Sequence, residues 1–345
     1  MIPGEALGPY GWTDRWAALH AERPELAPGR VVRHDGVALV VATDGGPVVA
    51  TFPRDLDPSP AVGDWVGLRD ERAVTVLHRA SLLRRRAASG VGEQALAANV
   101  DTVLLVCGLD RPVKVGRIRR GVTLARDAGA DPVVVLTKAT RPGVEPAAVA
   151  VTTVEVAQGN PGVPVLVTSV QENLGMPELW EVVEGRTVVL LGESGAGKSS
   201  MVNALLGAEA AATGSVRDGD AKGRHTTTSR QLHLLPGGGV LIDTPGIREV
   251  GLWVDVEAVR ATFNDIDELA EECRFTDCQH QGQPGCAIEA AMAAGELAPD
   301  RLAAWRELTA EAAAAALRAD PATLHRQSRK FGRIAREAQK RKGRT

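Results

Sequence analysis

The run Gly192-Glu193-Ser194-Gly195-Ala196-Gly197-Lys198-Ser199 packs three glycines, a lysine and two hydroxyls into eight positions. Glycines let a backbone curl until its N–H groups converge on an anion. Thr187 to Leu191 before it is β-branched and apolar, as a buried strand requires, and Ser200 to Leu206 after it opens a helix. Strand, loop and helix in that order predict a phosphate-binding loop, with the positive helix end aimed at the same spot. Lys198 is placed to reach the β- and γ-phosphates, and the Ser199 hydroxyl, followed by Ser200, to ligate Mg²⁺.

A second motif, Asp243-Thr244-Pro245-Gly246, follows the short apolar strand Gly239 to Ile242. A carboxylate there can hold a water of the Mg²⁺ shell, and the Gly246 N–H can meet a γ-phosphate. Between the motifs, Gly223-Arg224-His225-Thr226-Thr227-Thr228 suits a segment that closes over the nucleotide, with Thr226 or Thr227 on Mg²⁺. Loop and aspartate together read as the first and third signature motifs of a GTPase. Ile247 follows Gly246, where a glutamine would orient water, so slow intrinsic hydrolysis is expected. His225 is the nearest polar substitute; an exposed loop histidine without a catalytic role is the plain alternative. The fourth motif should come later in the chain, yet its sole remnant lies upstream, at Thr137-Lys138-Ala139-Thr140. The motif order is therefore that of a circular permutation.

A third chemistry sits at Cys273-x4-Cys278-x-His280-x5-Cys286. Three thiols and an imidazole suit tetrahedral Zn²⁺, and four protein ligands leave no open position, so one structural ion per chain is expected. Pro284-Gly285 supplies the turn that brings Cys286 round. Cys107, on an apolar strand, reads as core.

These residues need elements to hold them. From residue 99 to 262, β and α patterns alternate: Thr102 to Cys107, Pro132 to Leu136 and Pro164 to Val167 as strands, Ile118 to Ala128, Pro146 to Gln158 and Met176 to Val183 as helices. That alternation predicts a mostly parallel sheet with helices on both faces. Ligands bind beyond the carboxyl ends of such strands. Thr137, Lys138, Thr140, Ser169, Val170, Gly192 and Asp243 all fall at strand ends, and one nucleotide pocket is expected there. Residues 29–98 carry about five short strands with hairpin signals at Asp35-Gly36 and Asp44-Gly45-Gly46, a small barrel of the OB type with a linker. The basic run Arg84-Arg85-Arg86 at its exit reads as a solvated cluster, with RNA phosphates as the alternative. Residues 1–28 form an extension in which Trp12, Trp16 and Leu19 share a helical face. Residues 263–345 form a helical unit around the cysteines, with Arg301 to Leu317 helical and a tail of nine Lys or Arg against one acidic residue between Arg326 and Arg344. That face suits RNA phosphates, with salt-sensitive affinity.

Composition sets the outer frame. The chain has 345 residues, 44% hydrophobic and 24% charged, with net charge -3. No apolar run approaches a membrane span and no signal pattern opens the chain, so a cytoplasmic protein without membrane attachment is expected. Four cysteines, three of them clustered, favour metal over disulfides there.

The chain resembles the circularly permuted, small-subunit-dependent ribosomal GTPases of the RsgA/YjeQ type. The resemblance rests on Val62-Gly63-Asp64-Trp65-Val66, Ala98-Asn99-Val100-Asp101, the phosphate loop, Gly223 to Thr227, Asp243 to Gly246, Asp277-Cys278-x-His280 and Pro284-Gly285-Cys286-Ala287. It implies a multidomain protein: an OB-fold barrel, a permuted P-loop α/β GTPase domain and a C-terminal zinc-binding helical domain. It implies GTP hydrolysis to GDP stimulated by the 30S subunit and its 16S rRNA during late maturation, a catalytic His225, and a monomer. The family usually carries Asn-Lys-x-Asp, whose aspartate accepts from guanine N1 and N2; here Thr137 and Thr140 stand instead, so a charge-assisted pair is lost. A non-enzymatic ribosome-binding assembly factor with relaxed nucleotide binding is the other functional class, and a metabolite kinase a distant third.

Overall fold

A computed structural model describes residues 4–86, 93–212, 230–243, 259–260, 262–275 and 277–319. The chain divides into two compact units, residues 1–85 with 93–252, and residues 86–92 with 253–345.

The first unit opens with a 3₁₀ turn, Glu5–Tyr10, and helix α1, Asp14–His20. Trp12 lies before α1, not on it as the helical spacing predicts. Thr13 at the cap is extended, at φ -133° and ψ 171°. The aromatic group forms all the same: Trp12 meets Trp65 edge-on at 4.9 Å, and Trp16 lies 5.8 Å from the same ring. Leu7, Trp16, Ala42, Trp65 and Leu77 form a buried cluster, so the extension covers one end of the barrel.

The barrel strands are β1 (Ala27–His34), β2 (Leu39–Thr43), β3 (Gly46–Ala50), β4 (Trp65–Arg69) and β5 (Arg72–Val76). Strand β1 pairs antiparallel with β2 and β4, β2 with β3, and β4 with β5. A parallel bridge from Thr51 to Arg72 joins the β3 side to β5 and closes the ring. That is the OB connectivity, with Val31, Leu39, Val41, Val66 and Leu68 filling the interior. A hairpin follows, β6 (Leu82–Arg86) with β7 (Glu93–Ala98). Arg84 of β6 pairs with the buried Asp127 carboxylate at 3.3 Å, so it is not a freely solvated charge.

The α/β part comprises β8 (Thr102–Gly108), α2 (Val115–Asp127), β9 (Asp131–Thr137), α3 (Pro146–Gly159), β10 (Val165–Val167), α4 (Met176–Val183), β11 (Thr187–Gly192), α5 (Lys198–Ala212), β12 (Gln231–Leu234) and β13 (Val240–Asp243). Sheet order is β10-β9-β8-β11-β13-β12, continuing through β1 into the barrel. All pairs from β10 to β13 are parallel; only β12 runs antiparallel. These strands are covered on both faces, which is why they read as continuous apolar runs. Leu104, Val106, Val133, Val135, Val188, Leu190 and Leu241 pack against Met201 and Leu205 of α5 and Leu179 of α4.

Barrel and sheet lock together through the two motifs flanking them. Arg30, 1% exposed, donates to Gly63 O, Tyr10 O, Asn99 O and Thr187 Oγ1, and stacks on Trp65 at 5.1 Å. Burial lowers its pKa to about 10, against the pull of Asp101 and Asp64. Asn99 Nδ2 donates to Gly63 O at 3.0 Å, and Asp101 accepts from Thr187 N–H at 2.7 Å. Gly63 has φ +95°, and a Cβ there would lie 2.1 Å from Ala98 O, so only glycine fits.

The second unit carries α6 (Asn264–Glu271), α7 (Ala287–Ala294) and α8 (Pro299–Ala319). Arg301 of α8 forks onto both Asp265 oxygens of α6, at 2.7 and 2.6 Å. Among the described residues no helix is long and apolar enough to cross a membrane.

Candidate functional site: the phosphate loop and the metal-ligand cluster

Strand β11 is central, with β8 on one side and β13 on the other. Its carboxyl end therefore opens where side chains from both neighbours can reach. The turn begins at Gly192, φ +157°, where a Cβ would lie 2.2 Å from Val106 O. Gly195 and Gly197 also hold positive φ, at +76° and +97°. The N–H groups of Gly195, Gly197 and Ser199 take no partner among the described residues. Those donors, with the start of α5 behind them, form an anion cradle. Lys198 Nζ lies along the loop, donating to Gly192 O and Glu193 O, each at 2.6 Å. Glu193 also contacts Arg117, and Ser194 O accepts from Arg111 at 3.3 Å. Asp243 stands at the carboxyl end of β13, beside Gln231 of β12.

The segment after β9 braces the loop. Thr137 Oγ1 donates to Ala196 O at 2.5 Å, and Lys138 Nζ to Gly195 O at 2.5 Å. Lys138 also pairs with Asp110 at 2.7 Å, as does Arg141. The Lys138 hydrogen bond holds the Asp110 carboxyl below the usual carboxylate range, and Arg111 and Arg141 act in the same direction. Asp110 and Arg141 line a cleft of about 330 Å³ with Arg111 and Val144. The hydroxyls of Thr140 and Ser169 meet at 2.7 Å. Thus Thr137, Lys138, Thr140, Ser169 and the loop gather beyond the carboxyl ends of the strands. Asp110 is absent from the sequence reading. The register Gly108↔Thr137 sets the ends of β8 and β9 level, and a charged residue just past two level strand ends is the signal that finds it. His225, Thr226, Thr227, Gly246 and the basic tail lie outside the described residues.

In the second unit, Cys273 follows α6 and Cys286 caps α7. The ligand atoms of Cys273, Cys278, His280 and Cys286 lie within 4.8 Å of one another and could hold a metal ion. A tetrahedral ion with bonds of about 2.3 Å to sulfur and about 2.0–2.1 Å to nitrogen needs edges of about 3.8 Å between sulfurs and about 3.6 Å from sulfur to nitrogen. Cys273 and Cys286 Sγ are 3.9 Å apart, and they stand 3.5 and 3.6 Å from His280 Nδ1. Burial, with Arg306 nearby, lowers the His280 pKa, which favours the neutral imidazole that ligation requires. Trp305 of α8 meets the His280 ring edge-on at 6.0 Å.

A glycine-rich loop on the central strand, an aspartate ending the next strand and a base-side segment ending β9 define a P-loop GTPase fold. The sheet order places these parts normally, but the chain visits β8, β9 and β10 before the loop strand, the mark of circular permutation. A family model described as RsgA GTPase matches residues 76–253. Over 317 residues the chain is 47% identical to the small ribosomal subunit biogenesis GTPase RsgA of Streptomyces coelicolor, covering 89% of this chain and 86% of that one. The crystal structure of YjeQ from Thermotoga maritima is similar at 26% identity and TM-score 0.63, covering 83% of this chain and 98% of that one. YloQ, a circularly permuted GTPase, shares the fold at 22% identity and TM-score 0.59, with 83% and 94% covered. The chain belongs to the RsgA GTPase family.

Proposed function

We propose that this chain hydrolyses GTP to GDP and phosphate when it is bound to the small ribosomal subunit, as a step in late maturation of that subunit. The observation that carries this reading is the glycine loop with N–H groups turned free between β8 and β13, Lys198 along it and Asp243 ending the neighbouring strand β13. The relatives' name supplies the partner: small ribosomal subunit biogenesis GTPase. Loop N–H groups bind the β- and γ-phosphates, and Lys198 exchanges its two carbonyl partners for phosphate oxygens. Ser199, Asp243 and Thr226 or Thr227 would hold Mg²⁺, which neutralises charge developing between the β- and γ-phosphates. His225 orients the attacking water in place of the glutamine that Ile247 replaces.

The cluster of Cys273, Cys278, His280 and Cys286 is read as a structural zinc site, because four protein ligands close the shell. The tail from Arg326 to Arg344 is read as the contact to 16S rRNA phosphates. Domain boundaries near 28, 98 and 262, a cytoplasmic location and a monomeric state complete the reading.

Phosphate release with and without 30S subunits tests it. Stimulation is expected, abolished by Lys198→Ala and lowered in His225→Ala with GDP affinity retained. Undiminished turnover in Lys198→Ala overturns the assignment, and equal stimulated rates in His225→Ala remove His225 from the chemistry.

A further inference from the structure

Past the ends of β9 and β10, segments 137–140 and 168–170 run side by side. Thr168 N–H donates to Leu136 O at 2.7 Å, and Ala139 N–H to Thr168 O at 3.2 Å. Lys138 ties this edge to the loop at Gly195 O. A nucleotide with its phosphates on the loop therefore lays its base here, along the Lys138 stem. The edge offers the base an unusual set of groups. Val170 N–H has no partner among the described residues, whereas Ser169 N–H is already committed to Leu174 O at 2.9 Å. Beside Val170 stands the Thr140–Ser169 hydroxyl pair. The carboxylate close by, Asp110, is engaged by Lys138 and Arg141.

Each group has a definite preference. A backbone N–H suits a carbonyl at purine C6 and opposes an amine there. A carboxylate only accepts, and its two oxygens match two parallel N–H donors. Two hydroxyls bonded to each other use one proton between them and keep the other. Such a pair can accept from an amine at C2 or donate to a carbonyl at C2. Its two oxygens can also accept a pair of donors, but without the charge that strengthens a carboxylate's hydrogen bonds.

We propose that Thr140 and Ser169 make this a site for 6-oxopurine nucleotides with little discrimination at C2, so that guanine, hypoxanthine and xanthine are all accepted while adenine is refused. This rests on the nucleotide-binding reading above. A site that leaves no buried group unpaired with the alternative ligand has little means of rejecting it.

The test is competition of GDP, IDP, XDP and ADP against a fluorescent guanine nucleotide, with Mg²⁺ and the full chain. GDP, IDP and XDP are expected to bind within about tenfold of one another, with ADP weaker by more than that. Thr140→Asp should separate GDP from XDP by about 10- to 100-fold, the worth of a hydrogen bond to a charged acceptor. Wild-type preference for GDP over either IDP or XDP by more than about tenfold overturns the inference and leaves the nucleotide site standing. ADP binding as tightly as GDP also overturns it. Failure of every nucleotide to bind removes the underlying reading, and the inference with it.

Discussion

Thr137→Val asks whether the segment after β9 shapes the phosphate loop or merely lies beside it. Thr137 is 4% exposed, and its hydroxyl donates to Ala196 O inside the loop at 2.5 Å. The packing is close: a Cβ at Gly197 would lie 3.2 Å from Thr137 Oγ1. Valine keeps the shape and removes the donor, so little cavity opens. The Ala196 carbonyl is left without its partner, a loss of about 1–3 kcal/mol. Within one compact unit the sheet holds most of the stability, so the loss falls mainly on the order of the loop. Carried wholly into binding, it weakens nucleotide affinity about 5- to 150-fold. Titration calorimetry with Mg-GDP reads the affinity, and a thermal melt of the ligand-free protein reads the fold. Thr137→Ser keeps the donor and should bind within a few-fold of wild type. A valine variant that binds GDP within twofold of wild type refutes the reasoning, as does a serine variant as weak as valine.

Two further perturbations test the supports. Arg30→Met should lower stability by about 2–4 kcal/mol, because the buried carbonyls of Gly63 and Asn99 and the Thr187 hydroxyl lose their shared donor; an unchanged denaturation midpoint would count against that brace. Wild-type protein should carry one zinc per chain by elemental analysis, and Cys278→Ser or chelation should loosen the carboxyl-terminal unit while GDP binding persists. Metal-free wild-type protein, or a nucleotide site lost together with the metal, would contradict the separation of the two sites.

What the sequence shows and what it hides divide along physical lines. The loop is legible because glycines at Gly192, Gly195 and Gly197 answer to local backbone angles, and the buried strand before it is apolar throughout. The metal cluster is legible because ligand chemistry fixes both residue type and spacing. Strand β12 is not. Its Gln-Leu-His-Leu alternation spans only Gln231–Leu234, too short to stand out from a polar stretch. Arg84 misleads because its partner, Asp127, lies 43 residues away. Asp110 is hidden for the same reason: its link to Lys138 and Arg141 follows from β8 lying next to β9, which is a property of the whole sheet. Threonine at 137 and 140 misleads in another way. Read against the family motif it looks like simple loss, yet Thr137 supplies the loop with a donor and Thr140 pairs with Ser169.

The permuted order separates two kinds of connection to the nucleotide site. The barrel is fastened through the buried Arg30 to Thr187 at the amino end of β11, where Asp101 also accepts from the Thr187 N–H. Gly192, where the loop begins, is five residues further on, about 17 Å along an extended strand. A buried, fully bonded contact at the far end of a central strand holds the sheet still and has no direct reach to the phosphates. The other connection is covalent: Asp243 closes β13, and the chain then runs on toward the helical unit that begins at residue 253. In an unpermuted order that chain would lead back into the sheet. Here the chain that leaves Asp243, the residue proposed to hold the Mg²⁺ shell, is a covalent route to the metal-bearing unit. Stabilising changes at Arg30 should therefore alter melting without altering stimulation. Changes between residues 244 and 252 should alter stimulation without altering melting.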